Sequence, residues 1–117
     1  MSFRYRKFKV YTDAIELYKI VIRTTKNFPR DYDYLRNQIC RAALSVILNI
    51  AEGSAKASDK DFNRFLTNSL GSVSELVAGC EVSLHESLIT HDQFQRVESA
   101  AILVNNQLGG FSKKLKS

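Results

Sequence analysis

The chain has 117 residues, a formal charge of +5, 44% hydrophobic residues and 25% charged residues. These are the proportions of one globular domain that buries roughly two thirds of its unfolded surface. One Pro and five Gly argue against an all-β fold with many tight turns. No apolar run approaches the roughly 20 residues that span a bilayer, and the start has no apolar stretch after its charges, so it is no secretory signal; a cytoplasmic location is the expectation.

The first helix is predicted over about Thr12 to Asn27, with Thr12 as cap and Asp13 in the first turn, where the helix dipole favours an acid. Val10, Ala14, Leu17, Val21 and Phe28 form one apolar stripe, and Tyr11, Ile15, Tyr18 and Ile22 a second. Pro29 closes it by disfavouring the helical conformation of the residue before it. The second helix is predicted from Asp31 to Ala55, with a core stripe of Leu35, Ile39, Ala42, Val46 and Ile50, broadened by Ala43, Ile47 and Leu48.

Ser58-Asp59-Lys60-Asp61 resembles a capping box and opens a third helix. Its apolar positions run from Phe62, Phe65 and Leu66 through Val73, Leu76 and Cys80 to Leu88. Thr90-His91-Asp92-Gln93 is a capping box in standard form and opens the fourth. There, Phe94, Val97, Ala101, Val104, Leu108, Phe111 and Leu115 keep a heptad seam, the pattern of helices packed at shallow angles. Gly109-Gly110 should weaken its last turns by about 1 kcal/mol per Gly. Short connections force each helix back along its predecessor. The fold class is therefore all-α, an antiparallel up-down-up-down four-helix bundle, as a single domain over residues 1–117.

In that topology the two chain ends meet. The N-terminal arm, 1–9, carries Arg4, Arg6, Lys7 and Lys9, and the C-terminal end, 113–117, carries Lys113, Lys114 and Lys116; neither holds an acid. The rest has ten basic and twelve acidic residues. The body is near neutral and one pole is basic. The arm also interleaves Phe3, Tyr5 and Phe8 with its cations, and aromatic rings stack on bases while cations neutralise phosphates. The alternative is a basic solubilising tail whose Phe8 packs onto helix 1.

Gln38, Arg41, Ser45, Asn49 and Glu52 fall on one polar stripe of helix 2, and Asn68, Ser72, Glu75 and Gly79 on one of helix 3. These are either a solvated face or a network between helices or subunits, with Arg41 paired to Glu52 or Glu75, since an unpaired buried charge is too costly to keep. No catalytic pair, phosphate loop or helix-borne metal-ligand spacing around His85 and His91 is present. No catalytic residue, cofactor, metal or small-molecule substrate is therefore expected. Cys40 and Cys80 are offset by about 9 Å along antiparallel helices, beyond disulfide reach, and read as buried free thiols.

The stretch Gln38-Ile-Cys-Arg-Ala-Ala-Leu-Ser-Val-Ile-Leu-Asn-Ile-Ala-Glu-Gly53 resembles the signature of the bacterial ribosomal RNA intervening-sequence proteins, to which the accessory variability protein of retroelements is similar. Phe28-Pro29, Phe62-Asn-Arg-Phe-Leu66 and Gly71-Ser-Val-Ser-Glu-Leu76 extend the likeness. Cys40 departs from the basic or polar residue expected before Arg41. The resemblance implies a homopentamer around a central channel and no enzymatic activity. Joined to the charge distribution, it gives a homo-oligomeric protein engaging RNA or a nucleoprotein through Arg4, Arg6, Lys7, Lys9, Lys113, Lys114 and Lys116, with Phe3 and Tyr5 as stacking groups. The rival is a protein–protein adaptor that binds no nucleic acid.

Overall fold

The computed structural model describes residues 2–116; Met1 and Ser117, the two ends of the predicted domain, lie outside the described residues. A 3-10 turn at Arg4–Lys7 leads into α1 (Lys9–Thr25). A second, at Arg30–Tyr32, leads into α2 (Asp33–Ser54), followed by α3 (Asp59–His85) and α4 (His91–Lys116). Each helix packs against its chain neighbours, and α1 also packs against α4. The four thus form a closed square of antiparallel helices, as predicted. Its 44 × 24 × 19 Å extent follows from helices of 26–27 residues rising 1.5 Å per residue.

Two of the sequence-encoded starts form as expected. Ser58 Oγ accepts from the Asp61 amide. Thr90 Oγ1 accepts from the Gln93 amide, while Gln93 Oε1 accepts from the Thr90 amide, closing the box in both directions. The start of α1 differs. It begins at Lys9, with Phe8 in the cap position and no side-chain cap, and Thr12 sits exposed inside the helix. Packing of the Phe8 ring, described below, sets this start in place of a capping hydroxyl. At the far end, α1 stops at Thr25, two residues before the expected Asn27, and Phe28 is buried in the connection.

The end of α3 is a Schellman motif. The Leu88 amide donates to Ser83 O and the Ser87 amide to Leu84 O, with Ser87 in the left-handed region at φ 58°. Glycine is favoured at that position, so its serine hides the stop from a sequence reading.

The core is filled by Leu17, Val21, Ile39, Val46, Ile50, Phe62, Leu66, Leu76, Val97, Val104 and Leu108, each almost wholly buried. Leu48 was expected among them but is 53% exposed. The stripe turns with the helix, and position 48 falls outside the arc that α1 and α3 cover. The α4 seam is buried from Phe94 to Leu108, and the helix continues through Gly109-Gly110 to Lys116.

The α2–α3 interface is tight at two glycines. A Cβ at Gly53 would lie 2.7 Å from Phe65 Cβ, and one at Gly79 would lie 2.5 Å from Ile39 Cγ1. Between them Ser69 Oγ, fully buried, donates to the Val46 carbonyl at 2.6 Å. Cys40 and Cys80 are free thiols. Burial, and secondarily Cys40 nearby, pushes the Cys80 thiol up to about 12. Thr25 Oγ1 lies 3.5 Å from Cys40 Sγ.

Two outcomes follow. Gly79→Ala should destabilise the domain by about 1–3 kcal/mol through overpacking against Ile39. Gly71→Ala, where a Cβ meets nothing within 4 Å, should stabilise it by up to about 1 kcal/mol through helix propensity. Denaturant titration of the two variants checks the opposite signs. A thiol reagent at neutral pH should modify the half-buried Cys40 alone in the native protein and both cysteines in denaturant, read by mass; native labelling of Cys80 would contradict its burial.

Candidate functional site

The up-down-up-down order brings the start of α1, the end of α2, the start of α3 and the end of α4 to one pole. The arm is folded onto that pole. Arg4 Nε donates to the Ser54 carbonyl at 2.8 Å, at the end of α2, and its guanidinium lies 5.0 Å from the centroid of the Phe62 ring in α3. Phe8 stacks with Phe62 at 6.1 Å and meets Phe111 of α4 edge-on at 5.0 Å; Phe62 and Phe111 are 5.1 Å apart. This three-ring cluster ties the arm to both chain-distant helices, and such pairs add about 0.5–1.5 kcal/mol beyond their burial. Phe8 thus packs mainly onto α3 and α4.

The two expected stacking groups differ. Tyr5 is half-buried, edge-on to Tyr11 at 4.7 Å. Phe3 is 52% exposed and carries the Arg6 guanidinium 5.5 Å above its ring.

Among the cations, Arg4 is held by Ser54 and Phe62. Lys9 Nζ pairs with Asp13 Oδ2 at 2.6 Å, and Gln107 of α4 donates to the same oxygen at 2.7 Å. The Lys9 and then the Gln107 hydrogen bond hold the Asp13 carboxyl below its usual range against a smaller opposing effect of burial. Arg6, Lys7, Lys113 and Lys116 are exposed and make no ion pair among the described residues. Lys114 is also exposed at this end.

The structure adds a third basic segment that the sequence reading left out. In the α2–α3 turn and the first turns of α3, Lys56 and Arg64 lie 5.0 and 4.9 Å from the Phe65 centroid, with Lys60 between them in sequence and exposed. Residues 58–61 were read only as a cap. Topology was the available signal, because the α2–α3 turn must share an end with the termini.

The polar stripes divide. Ser72 Oγ donates to Ser45 Oγ at 2.9 Å, and Asn49 Nδ2 donates to Ser45 O and Oγ, a short network across the α2–α3 seam. Gln38 Nε2 donates to Glu75 Oε2 at its exposed edge. Arg41 and Glu52 stand apart. Both are exposed, and the expected pairing of Arg41 with Glu52 or Glu75 is not formed. Glu52 lies eleven positions along the same helix, about 16 Å away, and Glu75 takes the Gln38 amide. Asn68 is exposed, and Gly79 serves packing. His85 and His91 are exposed at helix ends, and no group of three His, Cys, Asp or Glu suited to a metal ion occurs among the described residues. Nor is any helix long and apolar enough to cross a membrane among them.

A family model described as the 23S rRNA-intervening sequence protein matches residues 6–110. Among solved structures, the chain is similar to a protein of unknown function from the S23 ribosomal protein family of Bacteroides thetaiotaomicron. The two share 24% identity and a TM-score of 0.69 over 85% of this chain and 94% of that one, a likeness in fold. A comparison with curated proteins gives no match. With the family model covering the bundle almost end to end, the chain belongs to the 23S rRNA-intervening sequence protein family.

Proposed function

We propose that this chain is a non-enzymatic, self-assembling protein that engages RNA or a nucleoprotein through its basic pole, in a ring of five copies. The observation that carries the reading is the convergence of cations from three chain segments, 4–9, 56–64 and 113–116, on one end of a bundle whose body is near neutral. Arg6, Lys7, Lys113 and Lys116 are exposed and make no ion pair among the described residues. Repetition around a ring would concentrate that potential on one face.

Self-association is supported by the sides of the bundle. A groove between α1 and α2 is lined by Tyr18, Cys40, Arg41 and Leu44. Another, between α3 and α4, is lined by Val77, Ala78 and Ile102. In a square bundle these two sides are opposite. Leu44, Leu48, Val82 and Ile102 are exposed, so apolar surface on both sides suits head-to-tail contact, which makes a ring when the rotation between copies closes. The same apolar surface favours the second reading, a protein–protein adaptor without nucleic-acid binding.

Replacing Arg6, Lys7, Lys113 and Lys116 by Gln should leave the melting temperature within about 2 °C, since exposed substitutions shift stability little. It should weaken single-stranded RNA binding at low salt at least about tenfold and flatten the log–log salt slope by up to about 3 for each contacting subunit. Gln at Lys19 and Arg23, on the body, should change neither. Fluorescence anisotropy over a salt series, with light scattering in the same buffers, reads both binding and mass. An intact oligomer that ignores RNA at low salt would replace this reading with the adaptor.

A further inference from the structure

At the basic pole, the start of α1 and the end of α4 leave a solvent-open groove of ≈ 430 Å³ lined by Phe8, Lys9, Gln107, Gly110, Phe111 and Lys114. Its volume lies in the range that holds a small ligand. We propose that this groove is a pocket for one unpaired nucleotide of RNA, its base against the Phe8 and Phe111 rings and its phosphates toward the lysines of the α4 end, Lys113 and Lys114, with cytosine preferred over uracil. The inference rests on the pole being the RNA-binding end.

Three observations converge on it. The floor is aromatic: Phe8 and Phe111 are each half-buried, so part of each ring faces the groove, and base–aromatic stacking tolerates any base. The rim carries Lys114 and the Lys9–Asp13 pair, and Lys7 and Lys113, which make no ion pair among the described residues, extend the positive charge beyond it, which suits a phosphodiester. The third is Gly110. Glycine in a helix interior weakens the helix relative to alanine, and packing does not require one here, because a Cβ at 110 would meet nothing within 4 Å. Gly53 and Gly79, by contrast, are glycines that packing demands, while Gly71 and Gly109 are as open as Gly110 but do not line the groove. What Gly110 provides is open space over the aromatic floor.

The base preference comes from Gln107. Its Nε2 donates to Asp13 Oδ2 at 2.7 Å and to Leu103 O at 3.3 Å. Both partners are acceptors, so the nitrogen is fixed on that side and both its hydrogens are engaged. The Oε1 atom accepts no hydrogen bond among the described residues, and Gln107 lines the groove, so this oxygen is the acceptor the residue has left to offer a ligand. Cytosine carries a projecting exocyclic amino donor where uracil carries a carbonyl oxygen, and uracil's one edge donor, N3–H, lies between two carbonyl oxygens that repel the amide oxygen. The rings are otherwise the same size, so their stacking is closely matched. Asp13 thereby has a positioning role: it orients the Gln107 amide and anchors Lys9.

The test measures binding of twelve-residue oligocytidine and oligouridine at one salt concentration to the full chain and to Gly110→Leu and Gln107→Leu, with a melting curve for each. Oligocytidine should bind about two- to tenfold more tightly than oligouridine, the span of one net hydrogen bond. Gly110→Leu should raise or preserve the melting temperature yet weaken both ligands about fivefold or more through lost stacking, with the salt slope unchanged. Gln107→Leu should bring oligocytidine to the oligouridine level and leave oligouridine alone. Salt-dependent binding that ignores both substitutions and shows no preference would overturn the pocket while leaving the basic pole standing. Absence of RNA binding by the parent chain would remove both. Displacement of RNA by an acidic aromatic peptide, with binding of that peptide lost in Gly110→Leu, would reassign the groove to a protein partner.

Discussion

The close approach of α2 and α3 is the constraint on which the rest of the molecule depends. Gly53 and Gly79 bring the helices to a distance at which a methyl group has no room. Ser69 then spans the gap by donating to the Val46 carbonyl, and Ser72 reaches Ser45. A hydroxyl buried this deeply must find a partner, and a backbone carbonyl of the facing helix supplies one only if the helices stay this close. The geometry also reaches the pole. Gly53 rests on Phe62 and Phe65, and those rings carry Arg4, Lys56 and Arg64. The small residues of the seam therefore fix where three cations sit.

The parts of this fold that could be read from the chain are those with local causes. The caps at Ser58 and Thr90 involve residues three apart, and the α4 seam repeats over a full helix, so periodicity and composition were sufficient. The errors have non-local causes. The start of α1 is set by rings at positions 62 and 111, and no window around Thr12 contains them. Leu48 looked like core because apolar character was counted without the arc that neighbouring helices cover. Of the two readings of the Arg41 stripe, a solvated face or a network between helices or subunits, the single chain has Arg41 exposed without an acidic partner, while Ser45, Asn49 and Ser72 of the same stripes form a network between helices. The Lys56–Arg64 segment was missed for a different reason. Its charge is balanced in sequence by Asp59 and Asp61, and only the three-dimensional arrangement joins its cations to those of the two ends.

Helix dipoles do not produce the polarity of the molecule. Two helices start and two end at the basic pole, so their terminal partial charges offset one another. The potential there comes from side chains, several of which are seated on aromatic faces: Arg4 on Phe62, Arg6 on Phe3 and Lys56 on Phe65, whereas Arg64 over Phe65 also lies 4.0 Å from Asp61. A cation over a ring keeps its full charge, whereas one paired with a carboxylate presents a near-neutral group to a distant phosphate. Aromatic seating thus orders these side chains while preserving the field.

Family membership and charge distribution carry separate parts of the functional argument. The matched stretch runs from residue 6 to residue 110 and contains the α2 signature, the tight α2–α3 seam and nearly all of the core. Arg4, Lys113, Lys114 and Lys116 fall outside it. The bundle accounts for why this chain folds and packs as its family does, and the resemblance supplies the expectation of a ring. The basic pole is built partly from residues beyond the shared stretch, held in place by the Phe8–Phe62–Phe111 cluster. A relative could keep the seam and the fold yet lack the terminal cations, and its pole would then carry a weaker positive potential. Inference from fold to ligand therefore has to pass through these particular side chains.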